Sequence, residues 1–239
     1  MTSGGPLLGV GALVAGANRK ATVVLLAATV LGVLFRYVGS REFYLADLAG
    51  TQTRAAAADA AMYHFAAAFV LLGAVPFAIT KIVFRARAAE FGVCAGDGRL
   101  LLRACAVLVP VMALLSFGAS KQAPFQAEYP LSPAAADGAG PFALHATAYL
   151  LLYYTAWEFC FRGFLQAGLA PSIGDWNAIL VQTSLSTALH VGKPLGETLG
   201  AVAGGILWGV LALRTRSILA GIVTHAALGI SLDLFLVSG

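Results

Sequence analysis

Glu158 and Arg162 stand four residues apart in the stretch Ala156-Trp157-Glu158-Phe159-Cys160-Phe161-Arg162-Gly163-Phe164, inside an apolar run from Phe142 to Leu169. On a helix that spacing puts carboxylate and guanidinium on one face, about 40° apart. Ionised groups in a membrane helix are costly, so such a pair faces the bundle interior or a wet cavity. It either ties two helices together or marks proton or substrate chemistry, and an intramembrane carboxylate favours the second. His190 and His225 interrupt apolar helices further along. Carboxylate and imidazole are the groups that general acid–base catalysis and metal ligation both use.

His225, Gly229 and Asp233 share one helical stripe, so Asp233 either orients the same cavity or reaches water near the membrane surface. The Gly/Pro break from His190 to Glu197 separates two apolar helices. Irregular backbone at membrane depth needs protein or water to cover it. Lys193 and Glu197 therefore line a cavity mouth or lie at the surface as loop charges. Other hydrolase signatures are missing: there is no H-E-x-x-H helix, no G-x-S-x-G elbow and no pair of aspartates deep in two spans. Cys94, Cys105 and Cys160 form neither a disulfide framework nor a C-x-x-C pair, which argues against thiolate zinc.

The elements that must hold these groups follow from composition. The 239 residues are 59% hydrophobic and 11% charged, with mean hydropathy +0.84. A soluble domain carries about 25% charge. The chain thus reads as an all-α polytopic membrane bundle of about seven transmembrane helices. Residues 1–239 form a single membrane domain, with N-terminal spans and loops over 1–141 and the motif-bearing helices over 142–239. The net charge of +4 sits in loops, as membrane topology requires, and implies no nucleic acid.

The expected spans are Ala21 to Leu34, Ala60 to Thr80 kinked at Pro76, Leu100 to Phe117, Pro141 to Leu169, Trp176 to His190, Leu199 to Leu213 and Ile218 to Val237. The polar segment Arg36 to Asp59 holds an interfacial element, and Ser120 to Pro141 is either an extended cap or a mobile linker. Gly200-x-x-x-Gly204 and Ala201-x-x-x-Gly205-x-x-x-Gly209 permit close helix approach. Met1 to Ala17 carries its basic pair, Arg19-Lys20, after the apolar part, the reverse of a signal peptide. With seven crossings, alternate loops hold ten basic residues against five, which places the N-terminus in the cytoplasm. High Ala, Gly and Arg usage suggests a GC-rich bacterial source and so the inner membrane.

From Phe142 to Asp233 the residues resemble the CAAX-protease and bacteriocin-processing family of intramembrane endopeptidases, whose pattern is E-E-x-x-x-R, F-x-x-x-H and H-x-x-x-N or D on successive helices. Glu158, Arg162, His190 and His225 match, with Gly163-Phe164 after the Arg. The resemblance implies a Glu/His hydrolase acting on a membrane-anchored protein or peptide in the bilayer. In that mechanism a Glu and the first His activate water, and the last His with its Asn stabilises the oxyanion. It requires no metal or other cofactor, although Glu and His are also zinc-ligand types. Trp157 stands where the first Glu is expected, Ser186 in place of the Phe and Gly229 in place of the Asn. Glu158 is then the expected base, with Glu197 or Asp233 as substitutes for the missing Glu. The form W-E-x-x-x-R-G with H-x-G-K-P-x-x-E resembles a bacterial branch near proteases that trim C-terminal sorting anchors. The competing readings are an inactive family member serving as a membrane scaffold, a thiol enzyme using Cys160, and a small transporter with a Glu158/Arg162 relay. Cys160 falls roughly 200° around the helix from Glu158, and no inverted repeat is visible. The oligomeric state is open.

Overall fold

In the computed structural model, which describes residues 18–239, all regular structure is helical. Helix α1 is Arg19–Tyr37, α2 is Arg54–Val83, α3 is Gly98–Ser120 and α4 is the short Ala123–Glu128. Helix α5 runs unbroken over residues 139–173; α6 is Asp175–Ala188, α7 Leu195–Thr215 and α8 Leu219–Ser238. The reading of Met1 to Ala17 lies outside the described residues.

Side chains that cap orphan N–H groups set several starts. Asn18, Thr53 and Asp97 each accept backbone N–H bonds in the first turn of α1, α2 and α3. Several expected spans are extended at their ends: α2 begins at Arg54 rather than Ala60, and α7 at Leu195 rather than Leu199. Pro76 does not end α2. A π-helical segment, Phe69–Ala74, precedes it, and the helix continues to Val83; such a wide turn is one way to absorb a residue with no N–H. Pro171 is likewise inside the last turn of α5, and the break falls at Gly174, whose φ of +80° suits glycine.

Five helices (α1, α2, α3, α7 and α8) are each long and apolar enough to cross a membrane. Leu26, Val30, Leu114 and Leu199 are exposed on their outer faces, an apolar exterior that only lipid can solvate. This is an integral membrane protein. Helix α6 has 14 residues, about 21 Å, against a hydrocarbon core of about 30 Å. Its tail is the turn carrying His190 and the segment to Pro194.

Helix α5 is the centre of the bundle. Around its buried Trp157, Phe161, Phe164 and Leu165 pack Val24, Ala28 and Phe35 of α1 and Ala68 and Leu72 of α2. Helix α8 lies along α3, where Ser116 donates to the Leu228 carbonyl at 2.5 Å and Phe117 meets Phe235 edge-on. The segment between α3 and α5 is an ordered cap. Leu131 and Ser132 are buried, and Arg41 donates to the Leu131 carbonyl and pairs with Glu128 at 3.1 Å.

The two glycine stripes of α7 do different jobs. Gly205 and Gly209 face α5 and α6, where Gln182 donates to the Gly205 carbonyl at 2.8 Å and Gln166 to the Gly209 carbonyl at 2.9 Å. Gly200 has open space beside it. A Cβ at Gly205 would sit 2.7 Å from Thr183 Cγ2, so Gly205→Val is expected to cost about 1–3 kcal/mol, read as earlier thermal unfolding in detergent. The same substitution at Gly200 should leave that transition unmoved.

Candidate active site

One stripe of α8 registers antiparallel against α5. At one level His225 Nδ1 bonds to Glu158 Oε1 at 2.8 Å. One turn on, Gly229 lies under the Tyr154 hydroxyl, which a Cβ at 229 would overlap. One further turn on, Asp233 Oδ2 meets His145 Nε2 at 2.8 Å. Two π-helical segments of α5, Tyr149–Tyr154 and Phe159–Ala167, flank Thr155–Glu158. Such segments often lie at functional sites.

Glu158 is wholly buried, and Arg162 Nη1 lies 3.1 Å from the same Oε1 that receives His225. The expected one-face pair is formed, with its charges matched inside the bundle. Glu158 Oε2 has no hydrogen-bond partner and rests against Gly221. A carboxylate only accepts, so His225 Nδ1 is the donor and Nε2 keeps the lone pair. Two aromatic rings hold the imidazole: Trp208 stacks on it at 3.8 Å between centroids, and Tyr154 lies tilted at 4.8 Å. Trp208 is itself fixed by Nε1 donating to Thr224 Oγ1 at 2.9 Å, and the Arg162 guanidinium lies 5.4 Å from the Trp208 ring.

His190 lies just past the end of α6. Its Nδ1 donates to the Ser186 carbonyl at 2.7 Å, leaving Nε2 free. Ser186 contributes only its backbone to this bond. The ring meets Trp157 edge-on at 5.3 Å. Trp157 fills the place of the absent carboxylate with an aromatic wall shared with Phe35, Tyr153 and Phe161.

Two cavities meet at His190, Glu197 and Tyr153. The larger, about 740 Å³, lies between α3, α5, α7 and α8 and is mostly apolar, with Tyr154, Trp208 and Gly229 in its wall. The smaller, about 120 Å³, is lined by charges including Arg41, Glu42, Glu128 and Lys193. Glu197 belongs to the first turn of α7 rather than to a loop, and it accepts from the Tyr129 hydroxyl at 2.7 Å. Burial and the adjacent Glu197 carboxylate push the Tyr129 phenol well above its ordinary pKa, so it stays a donor. Lys193 bonds to Glu128 at 2.7 Å and to Tyr129 at 3.2 Å, tying the cap to this wall.

The structure thus brings Glu158, Arg162 and His225 into direct contact and puts His190 and Glu197 together on the cavity wall. Asp233 is not with them: its carboxylate is engaged by His145, two turns of α8 away from His225. Among the described residues no three His, Cys, Asp or Glu side chains converge as a metal-ligand set. Neither His145 nor Tyr129 is marked by a motif in the sequence. Tyr154, Glu158 and Arg162 fall on one i, i+4, i+8 stripe of α5, which puts a phenol on the face that carries the ion pair.

Residues 139–230 match the family model described as type II CAAX prenyl endopeptidase Rce1-like. The match covers α5 to α8 up to Ile230, less than half of the chain, and contains the whole Glu158/Arg162/His225 cluster together with His190 and Glu197. No curated protein and no solved structure matches the chain. The matched stretch also contains Cys160, which is fully buried in the packing around α5. Cys160→Ala is expected to keep cleavage within about twofold, since a buried structural thiol is inert, and loss of turnover there would revive a thiol mechanism.

Proposed function

We propose that the protein is an intramembrane endopeptidase that cuts a membrane-anchored polypeptide, with His225 as general base and Glu158 as the carboxylate that orients it. The observation that carries this reading is the buried 2.8 Å bond from His225 Nδ1 to Glu158 Oε1 beside a large cavity. A base oriented by a buried carboxylate is the arrangement that hydrolases use to hold an imidazole in one tautomer and to stabilise the imidazolium. Glu158 itself is the less suitable base, because Oε1 is shared by His225 and Arg162 and Oε2 faces Gly221.

In the proposed reaction His225 Nε2 takes a proton from water as the water oxygen bonds to the scissile carbonyl carbon. The same proton is then given to the leaving nitrogen as the C–N bond breaks. His190, with Nε2 free on the cavity wall, orients the water or the carbonyl. Glu197, held by Tyr129, supplies the second carboxylate of the site in place of the one that Trp157 excludes.

The two cavities fit a substrate with two natures. The apolar one takes the membrane-embedded anchor, and the charged one takes the polar chain leading to it. A C-terminal sorting anchor, cut at the boundary of a bacterial inner membrane, has this form. The excess of basic residues on one set of loops favours a cytoplasmic N-terminus. Processing of C-terminally anchored surface proteins, followed by the mass of the trimmed products in cells carrying wild-type protein or His190→Ala, tests the assignment. Accumulation of untrimmed precursor in the variant is expected; normal trimming with the variant present at wild-type level would count against it.

A further inference from the structure

Tyr154 stands out among the groups the reaction above leaves unused. It is buried to 4% exposure, its ring is tilted against His225 at 4.8 Å, and it forms part of the wall of the 740 Å³ cavity. It is four residues before Glu158, one turn along the same helix. Its hydroxyl occupies the space above Gly229 that any side chain there would fill. The neighbouring Tyr149 hydrogen-bonds to that hydroxyl, its ring 4.5 Å away between centroids.

We infer that Tyr154 is a catalytic residue, the donor that stabilises the oxyanion formed on the substrate carbonyl. The inference rests on the protease reading and goes beyond it by assigning that role to a residue of α5 rather than to the fourth residue after His225. Gly229, one turn after His225, carries no side chain and makes room for a phenol reaching across from the neighbouring helix. When the water oxygen bonds to the carbonyl carbon, the C=O electron pair moves onto oxygen, and the Tyr154 O–H hydrogen-bonds to that oxyanion. On collapse the pair re-forms C=O, the C–N bond breaks and the leaving nitrogen takes the proton held by His225. Tyr154 keeps its own proton throughout. Trp208, stacked on His225 at 3.8 Å, lines the same cavity as Tyr154 and fixes the imidazole beside it.

The test uses the full chain in detergent with a membrane-anchored peptide it cleaves. Tyr154→Phe is expected to lower kcat by about 10²–10³-fold, the cost of losing one oxyanion donor, with KM changed less than threefold. Binding of a phosphinate analogue of the scissile bond should weaken by a similar factor while binding of the uncleaved amide does not, a split that a packing role would not produce. Gly229→Ala, which crowds the same hydroxyl from α8, should show the same split. A Tyr154→Phe enzyme with wild-type kcat and phosphinate affinity overturns the assignment while leaving the protease reading intact. Absence of cleavage by the wild-type chain, with all anchored peptides tried, overturns both.

Discussion

Glu158→Gln is expected to reduce cleavage by on the order of 10⁴-fold without removing the protein from the membrane. The amide keeps the size of the carboxylate, but it no longer fixes His225 in the Nδ1–H tautomer or offsets the imidazolium that forms during proton transfer. Loss of an orienting carboxylate in the Ser-His-Asp enzymes has an effect of that size. His225→Ala should be as severe, and the double variant should be little worse than either, because residues that act as a unit are not additive. The comparison is made by single-turnover cleavage at matched protein levels. A Glu158→Gln protein that cuts at one-tenth of the wild-type rate or better would mean that the 2.8 Å bond to His225 has no part in the chemistry. The Arg162 guanidinium would lose its counter-charge in this variant. Thermal unfolding must therefore be followed alongside, to separate lost chemistry from lost fold.

Asp233→Ala should behave in the opposite way. Its partner His145 is buried, and both side chains retain an atom with no hydrogen-bond partner, His145 Nδ1 and Asp233 Oδ1. Removing one member of a buried pair leaves the other desolvated and unmatched, which costs about 3–5 kcal/mol. The expected result is a large drop in unfolding temperature, with kcat per folded molecule within threefold of wild type. Normal stability with lost turnover would instead return Asp233 to the catalytic cavity, where its position on the His225 stripe first suggested it.

That stripe shows what was legible in the sequence and what was not. Helical spacing correctly put Glu158 beside Arg162 and put 225, 229 and 233 on one face, because i, i+4 neighbours depend only on the local geometry of a helix. Which residue of another helix each one meets depends on the relative height of α5 and α8, and nothing local encodes that. Asp233 therefore pairs with His145 rather than joining Glu158, and Tyr154 rather than a side chain at 229 fills the gap. The apolar spans were readable from composition, with their ends misplaced by several residues where Thr53 caps α2 and Glu197 joins α7. The cap between α3 and α5 was undecidable from its Pro, Ala and Asp content. What orders it is long-range: Arg41 and Lys193 both reach Glu128, and Tyr129 reaches Glu197. The glutamines that bond to α7 carbonyls were similarly silent in sequence, since a glutamine in a helix looks polar whether it faces lipid headgroups or a neighbouring backbone.

In the proposed reaction a Glu158-held His225 hydrolyses a peptide bond in a membrane-anchored chain. Its most direct test is a mass-spectrometric comparison of newly formed C-termini on membrane-anchored polypeptides, using proteoliposomes that contain either wild-type protein or His225→Ala at equal amounts. A set of C-termini with one new oxygen from labelled water, present with wild type and absent with His225→Ala, is the predicted result. Identical sets of termini in the two preparations, or new termini that carry no label, would contradict it.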